Sequence, residues 1–147
     1  MKRDWRSTVL LGVLVLFAVT TSAGAQTPVT RPLKMTGVLQ ETIYSNGDFV
    51  AHSSGEATHL GKFTGYGSGN MADATAPGVF IAANGHQVTF GGSPAAPTFY
   101  TITGGTGRFQ GATGAYSVTS DVQSIVVNPD GSMTINLKWT AVGTITY

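Results

Sequence analysis

A long alternation of apolar and polar residues closes the sequence. From Met133 to Ala141 every second side chain is apolar, and threonine, asparagine and lysine occupy the positions between them. Successive residues of a β-strand point to opposite faces, so the pattern predicts a strand with one apolar face, on which Trp139 lies. The alternation continues to Tyr147 and is longer than an average strand of about 5–6 residues. It favours a tilted barrel strand with neighbours on both sides.

A second alternation predicts the first strand, over residues 33–44. Leu33, Met35 and Leu39 share one face, and parity places Glu41 on that apolar face too. Turn sequences separate this strand and the later ones: Ser45–Asp48, Ala83–Gly85 and Asn128–Gly131. No helical period follows residue 26. The sequence therefore predicts an all-β domain, a single antiparallel β-barrel of about eight strands, with a β-sandwich as the alternative.

The segment ITGGTGRFQGATG, residues 102–114, connects two strand-like runs. Its glycines allow a sharp, irregular corner, Phe109 can plug one end of the core, and Arg108 can hydrogen-bond loop carbonyls or a carboxylate. A phosphate cradle is the alternative, but the third glycine comes one residue too late and a strand follows instead of a helix. We interpret the segment as a structural corner formed by Gly104, Gly105, Gly107, Phe109, Gly111 and Gly114.

This corner, the segment GEATHLGKFTGYGSG at residues 55–69 and the turn at Ala83–Gly85 resemble the allene-oxide-cyclase-like and dirigent-like β-barrels. The resemblance is strongest to small secreted bacterial members of uncharacterised function and covers residues 36–147. It implies an eight-stranded antiparallel barrel with a small apolar cavity. It implies no particular activity, because the matched segments do not include the pocket residues that cyclases and dirigent proteins use.

Residues 1–25 have the pattern of a secretory signal peptide. Three basic residues precede an apolar run at residues 9–19, and Ala23–Ala25 supplies the small residues of a cleavage site. The run is too short for a membrane-spanning helix, which needs about 20 apolar residues, so no stable membrane anchor is predicted. We expect export to the periplasm or the medium, a flexible tail at residues 26–32 and a barrel domain at residues 33–147.

The charge and the cysteine content narrow the possible functions. Removal of residues 1–25 leaves five lysines and arginines against six acidic residues, a net charge of −1. No basic patch for nucleic acid is present. The chain has no cysteine, so neither a disulfide nor a thiol nucleophile is available. We expect no cofactor and no metal, since His52, His59 and His86 do not converge on one face. The oligomeric state is left open.

Glu41 is the candidate catalytic residue. A carboxylate inside a barrel loses water, its pKa rises, and it can then exchange protons near neutral pH. The alternatives are a position at the open end, in contact with solvent, or an ion pair with Arg108. The candidate ligand-binding residues are Arg108, Tyr44, Tyr100, Tyr116 and Trp139. Three functions follow: a barrel that binds a small apolar or aromatic ligand, a cyclase- or isomerase-like enzyme, or a filled barrel that acts through its surface.

Overall fold

Eight β-strands form the protein over residues 27–147, the part of the chain that a computed structural model describes. A short 3₁₀ turn, Gly107–Phe109, connects the sixth and seventh strands. The strands are β1 (Thr30–Ile43), β2 (Asp48–Ala57), β3 (Gly61–Asn70), β4 (Ala76–Ala82), β5 (Gln87–Gly92), β6 (Phe99–Gly105), β7 (Thr113–Val127) and β8 (Met133–Thr146).

The strands close into one ring. Each strand pairs antiparallel with the next, and β8 pairs with β1 along the whole of β1. This closure confirms the predicted eight-stranded antiparallel barrel and excludes the sandwich, which would consist of two separate packed sheets. β1 begins earlier than predicted, because the backbone of Thr30–Pro32 pairs with Thr146–Thr144 of β8. The last residues of the predicted flexible tail therefore belong to the barrel.

The glycine-spaced segment 55–69 is a strand pair. β2 ends at Ala57 and β3 begins at Gly61. His59, in the turn between them, has φ of +71°, a conformation that few side-chain-bearing residues adopt. Its Nε2 lies 2.9 Å from the Pro32 carbonyl oxygen. This contact ties the turn to the start of β1 and holds His59 away from His52.

One end of the barrel is filled. Phe109 is 0% exposed, and its ring centroid lies 4.9 Å from that of Tyr147. The 3₁₀ turn that carries Phe109 needs glycine at position 107, where φ is +59° and a Cβ would lie 2.5 Å from the His86 ring. The other residues packed at and near this end include Leu33, Leu60, Val88, Ile102, Ala112 and Ile145. The glycine corner thus closes the core here.

Glycines on the inner face of the barrel lie directly opposite aromatic residues of the neighbouring strands. A Cβ at Gly37 would lie 3.1 Å from the Trp139 ring, and one at Gly65 would lie 2.9 Å from the Phe80 ring. The absent side chain leaves space for the ring beside it, a known way to pack aromatics in curved sheets. The five pairs are Gly37–Trp139, Gly65–Phe80, Gly78–Phe90, Gly92–Tyr100 and Gly143–Tyr116.

The strands differ in length, and this leaves the second end open. β5 and β6 have six and seven residues, whereas β7 and β8 have 15 and 14. β6 pairs with β7 only as far as Ser117, so the rest of β7 extends beyond it beside β8. The apolar side chains of Val122, Ile125 and Val127 on this extension are 53%, 57% and 74% exposed.

Candidate functional site

A cavity of about 140 Å³ lies inside the barrel on the side of its open end. All eight strands contribute to its wall, and Pro94 and Pro97 of the loop between β5 and β6 also contribute. The side chains that line it are mostly apolar and aromatic. The cavity exists here because the aromatic rings fill the middle of the barrel while the short β5 and β6 leave the end above them uncovered.

Aromatic rings form the floor and one side of the cavity. The rings of Phe80 and Phe90 stack with their centroids 4.4 Å apart, and those of Tyr100 and Tyr116 stack at 5.4 Å. Phe90 meets Tyr100 edge to face at 5.7 Å. Trp139 stacks on Phe80 at 6.1 Å. The rings therefore form one continuous cluster from β4 to β8.

Glu41 lines the cavity, as the parity of β1 predicts. Its backbone neighbours are Ala51 on β2 and Ile135 on β8, so its carboxylate lies among apolar residues. Burial raises the pKa of the Glu41 carboxyl above its ordinary value. The structure therefore agrees with an inward, partly dehydrated carboxylate.

The same poorly hydrated environment raises the pKa values of two tyrosines in the cavity wall. Burial raises the pKa of Tyr100, and the negative charge of Glu41 raises it further. Burial also raises the pKa of Tyr116, with a second contribution from Tyr100. Both phenols therefore stay protonated at neutral pH, where each can donate a hydrogen bond.

Two buried donors of the cavity wall have no partner among the described residues 27–147. They are the Tyr116 hydroxyl and the Trp139 indole N–H. Tyr116 is 3% exposed and Trp139 is 6% exposed. A buried donor costs about 1–3 kcal/mol when nothing accepts its hydrogen bond, so both groups are available to a molecule or a water in the cavity.

The structure brings together four of the predicted site residues and leaves two apart. Glu41, Tyr100, Tyr116 and Trp139 all line the cavity. Tyr44 follows β1 at the open end, but its side chain is 43% exposed and does not line the cavity.

Arg108 lies at the opposite, filled end, so it neither lines the cavity nor reaches Glu41. Its side chain is exposed, and its guanidinium carbon lies 4.7 Å from the centroid of the Phe109 ring. Closure of the barrel causes the separation, because β1 runs from the filled end to the open end and Glu41 stands near its far terminus.

Sequence reasoning missed several residues of the cavity wall. Phe80 and Phe90 belong to the aromatic cluster, and Leu39, Val118 and Leu137 complete the apolar wall. Leu39 and Leu137 were on predicted inner faces, so the two-residue period contained the signal for them. Phe80 has Gly78 two residues away on the same face of its strand, and Phe90 has Gly92. This spacing was the available signal for the two rings, but the linear sequence does not show which neighbouring strand each glycine faces.

The histidines are spread over the barrel surface and the turns. The His52 ring meets Tyr66 edge to face at 5.1 Å, while His86 packs near Phe109 at the filled end. Among residues 27–147 no three histidine, cysteine, aspartate or glutamate side chains are close enough to hold a metal ion. No helix within the same residues is long and apolar enough to cross a membrane.

Comparison with solved structures finds a weak similarity. The solved structure of the pterocarpan synthase dirigent protein GePTS1 is similar over 82% of this chain and 93% of its own, with a TM-score of 0.42 and 13% sequence identity. No family model matches the sequence, and no curated protein matches it.

Proposed function

We propose that this protein binds a small apolar or aromatic molecule inside the barrel. The observation that carries the proposal is the cavity of about 140 Å³, lined by stacked aromatic rings and open at one end. An engineered protein cavity of about 150 Å³ is large enough to bind benzene. A single aromatic ring therefore fits the enclosed part, and a substituent can extend through the opening.

Native mass spectrometry of the protein, purified gently from its own host, tests this proposal first. We expect a retained small molecule whose mass is lost on denaturation. As a second measurement, amide NMR spectra during titration with simple benzene derivatives should shift signals of Leu39, Ala51 and Val118. Ala51→Phe, which places a ring in the cavity, should abolish those shifts. Binding that survives this substitution unchanged would contradict the proposed site.

An enzyme of cyclase or isomerase type is the second candidate. Glu41 favours it, because burial raises the pKa of this inward carboxylate and so makes it a stronger proton acceptor than an ordinary carboxylate. The pKa of Tyr100 is raised in part by the negative charge of Glu41. The protonated Tyr100 hydroxyl can donate a hydrogen bond to a substrate oxygen. The cavity argues against a filled barrel that acts only through its surface.

The enzyme candidate predicts that Glu41→Gln abolishes turnover of a bound substrate while binding of that substrate persists. Turnover by the native protein should rise with pH as the Glu41 carboxyl loses its proton. If Glu41→Gln turned the substrate over at the native rate, Glu41 would not be the base.

We also propose that the protein is exported and begins, once processed, at Gln26. Support comes from the basic start, apolar run and small-residue site of residues 1–25, which lie outside the described residues. Amino-terminal sequencing of the protein recovered from the periplasm and the medium tests the proposal. Recovery of only the unprocessed chain in the cytoplasm would contradict it.

A further inference from the structure

The charge of the cavity wall is unbalanced. Within residues 27–147, Glu41 is the only acidic residue that lines the cavity, and no lysine, arginine or histidine of this part of the chain lines it. Tyr100 and Tyr116 also line the wall, and their raised pKa values keep both phenols neutral at physiological pH. The described part of the chain therefore gives the site a negative charge without a matching positive charge. An anionic ligand would meet this carboxylate in a poorly hydrated space, which is unfavourable.

The aromatic rings, like Glu41, favour a positively charged ligand. The faces of aromatic rings carry partial negative charge and attract cations, most strongly where water is excluded. Phe80, Phe90, Tyr100, Tyr116 and Trp139 form a continuous cluster with centroid separations of 4.4 to 6.2 Å between contacting rings. Proteins recognise organic ammonium ions with clusters of aromatic rings, and here Glu41 adds a carboxylate to the wall that the rings form.

Glu41 itself gains from such a ligand. Its carboxylate has lost part of its hydration, and in the described residues no cation or hydrogen bond contributes to the shift of its pKa. An ammonium group at the open end would restore a favourable electrostatic partner and make the ionised form more stable. The ring of the same ligand would replace water against the apolar wall of Leu39, Val118 and Leu137.

We propose that the ligand is a small organic cation, an ammonium group attached to a single aromatic ring, held with its ring in the cavity and its charge beside Glu41. This inference rests on the proposed function, because it names the class of ligand for the same cavity. It goes further in predicting that charge, and not only shape and hydrophobicity, selects the ligand.

Two compounds that share one skeleton test the inference. Benzylammonium and benzyl alcohol differ in a single polar group, charged in the first and neutral in the second. Dissociation constants are measured by amide NMR titration of the full chain at neutral pH. We expect benzylammonium to bind about tenfold more tightly than benzyl alcohol, since an ion pair and a cation–π contact act together in a partly dehydrated site.

Two glutamine variants provide the matched comparison. Glu41→Gln removes the charge of the cavity and should reduce the preference for benzylammonium to about equality. Glu56→Gln removes the same charge from the exposed outer side of β2 and should leave the preference unchanged. Equal losses in both variants would mean that net charge of the whole protein, not the cavity, attracts the cation, and the inference would be wrong.

The pH dependence gives an independent readout. Benzylammonium stays protonated between about pH 5 and about pH 8, whereas the Glu41 carboxyl ionises as pH rises through its raised pKa. The affinity of the protein for benzylammonium should therefore increase as pH rises through the Glu41 pKa and then level off. Glu41→Gln should remove this increase. An affinity for benzyl alcohol that exceeds that for benzylammonium and falls with rising pH would overturn the inference, since protonated Glu41 would then act as a hydrogen-bond donor.

The outcomes separate the two proposals. If benzyl alcohol binds as tightly as benzylammonium and Glu41→Gln changes neither, the cavity binds neutral aromatic compounds and only the inference about charge is wrong. If neither compound shifts signals of the cavity wall and no retained molecule is found by mass spectrometry, the proposed binding function itself is wrong.

Discussion

At the scale of single residues, the position of Glu41 has consequences for stability as well as for binding. Most buried carboxylates are paired with a cation or accept several hydrogen bonds. Glu41 instead faces apolar residues and aromatic rings, and dehydration raises its pKa. A residue placed in this way reduces stability when it is ionised, so the packing of the barrel does not account for a glutamate at this position.

We expect Glu41→Gln to raise the melting temperature at neutral pH. The folded-state pKa of Glu41 lies above its ordinary value of 4.5, so the folded protein binds the proton more tightly than the unfolded chain does. Its contribution to stability is therefore greatest at low pH and is lost as pH rises through the folded pKa. Glutamine keeps the shape and removes the ionisation.

Thermal denaturation at several pH values checks this expectation. The gain from Glu41→Gln should be largest near pH 7 and should disappear below about pH 4, where the carboxyl is protonated in both states. Glu56→Gln is the control, because its exposed carboxylate is hydrated in both states. A melting temperature of Glu41→Gln below that of the native protein at neutral pH would contradict the argument.

At the scale of elements, β8 pairs with both β1 and β7 over its length. Its inner face carries Trp139, which is 6% exposed and packs against Phe63 and Phe80. Its outer face carries Val142, which is 61% exposed. The strand therefore offers two apolar residues three positions apart whose environments are opposite.

Trp139→Ala should be strongly destabilising. Loss of a buried large aromatic side chain costs about 3–5 kcal/mol, from lost burial and from the space left behind. Val142→Ala should change the free energy of unfolding by no more than about 0.5 kcal/mol, as is usual for an exposed position. Urea denaturation of the two variants provides the measurement. Similar stabilities would mean that the tryptophan does not hold the core.

The pairing of glycines with aromatic rings gives a second test within one strand. A Cβ on Gly92 would lie 2.6 Å from Cε1 of the Tyr100 ring, whereas the atom nearest to a Cβ on Gly91 is 3.8 Å away. Gly92→Ala should therefore cost about 1–3 kcal/mol through overpacking. Gly91→Ala should be neutral or stabilising by up to about 1 kcal/mol, since it restricts the unfolded chain.

Urea denaturation of these two alanine variants separates the cost of overpacking against the Tyr100 ring from the effect of restricting the backbone. Both residues lie in β5, and neither has a positive φ. Equal effects of the two substitutions would mean that loss of backbone freedom, and not the Tyr100 ring, determines the cost. A smaller effect at position 92 than at position 91 would show that the aromatic ring moves aside freely.

At the scale of the whole molecule, closure of the eight strands into a barrel divides the interior into a filled end and an open end. Closure needs all eight strands, but the strands are unequal, and the cavity forms where β5 and β6 end before β7 and β8. The same closure carries Phe109 to the filled end and Glu41 toward the open end. The cavity and the fully packed core thus lie at opposite ends of one barrel.

The sequence by itself determined the all-β class, the inward position of Glu41 and the structural corner at residues 104–114. These features depend on the two-residue period of strands and on the backbone conformations that glycine allows. Both are properties of short stretches of the chain. It also indicated that Tyr100, Tyr116 and Trp139 were candidates for one cavity.

Only the tertiary structure decided which of the candidates meet. Tyr44 and Arg108 carry suitable side chains, but the ring of strands leaves the first exposed and places the second at the other end. Phe80 and Phe90 entered the site through pairing with Gly65 and Gly78 on neighbouring strands. Such contacts depend on register between strands and on closure, which no local pattern encodes, and these set the size and charge of the cavity.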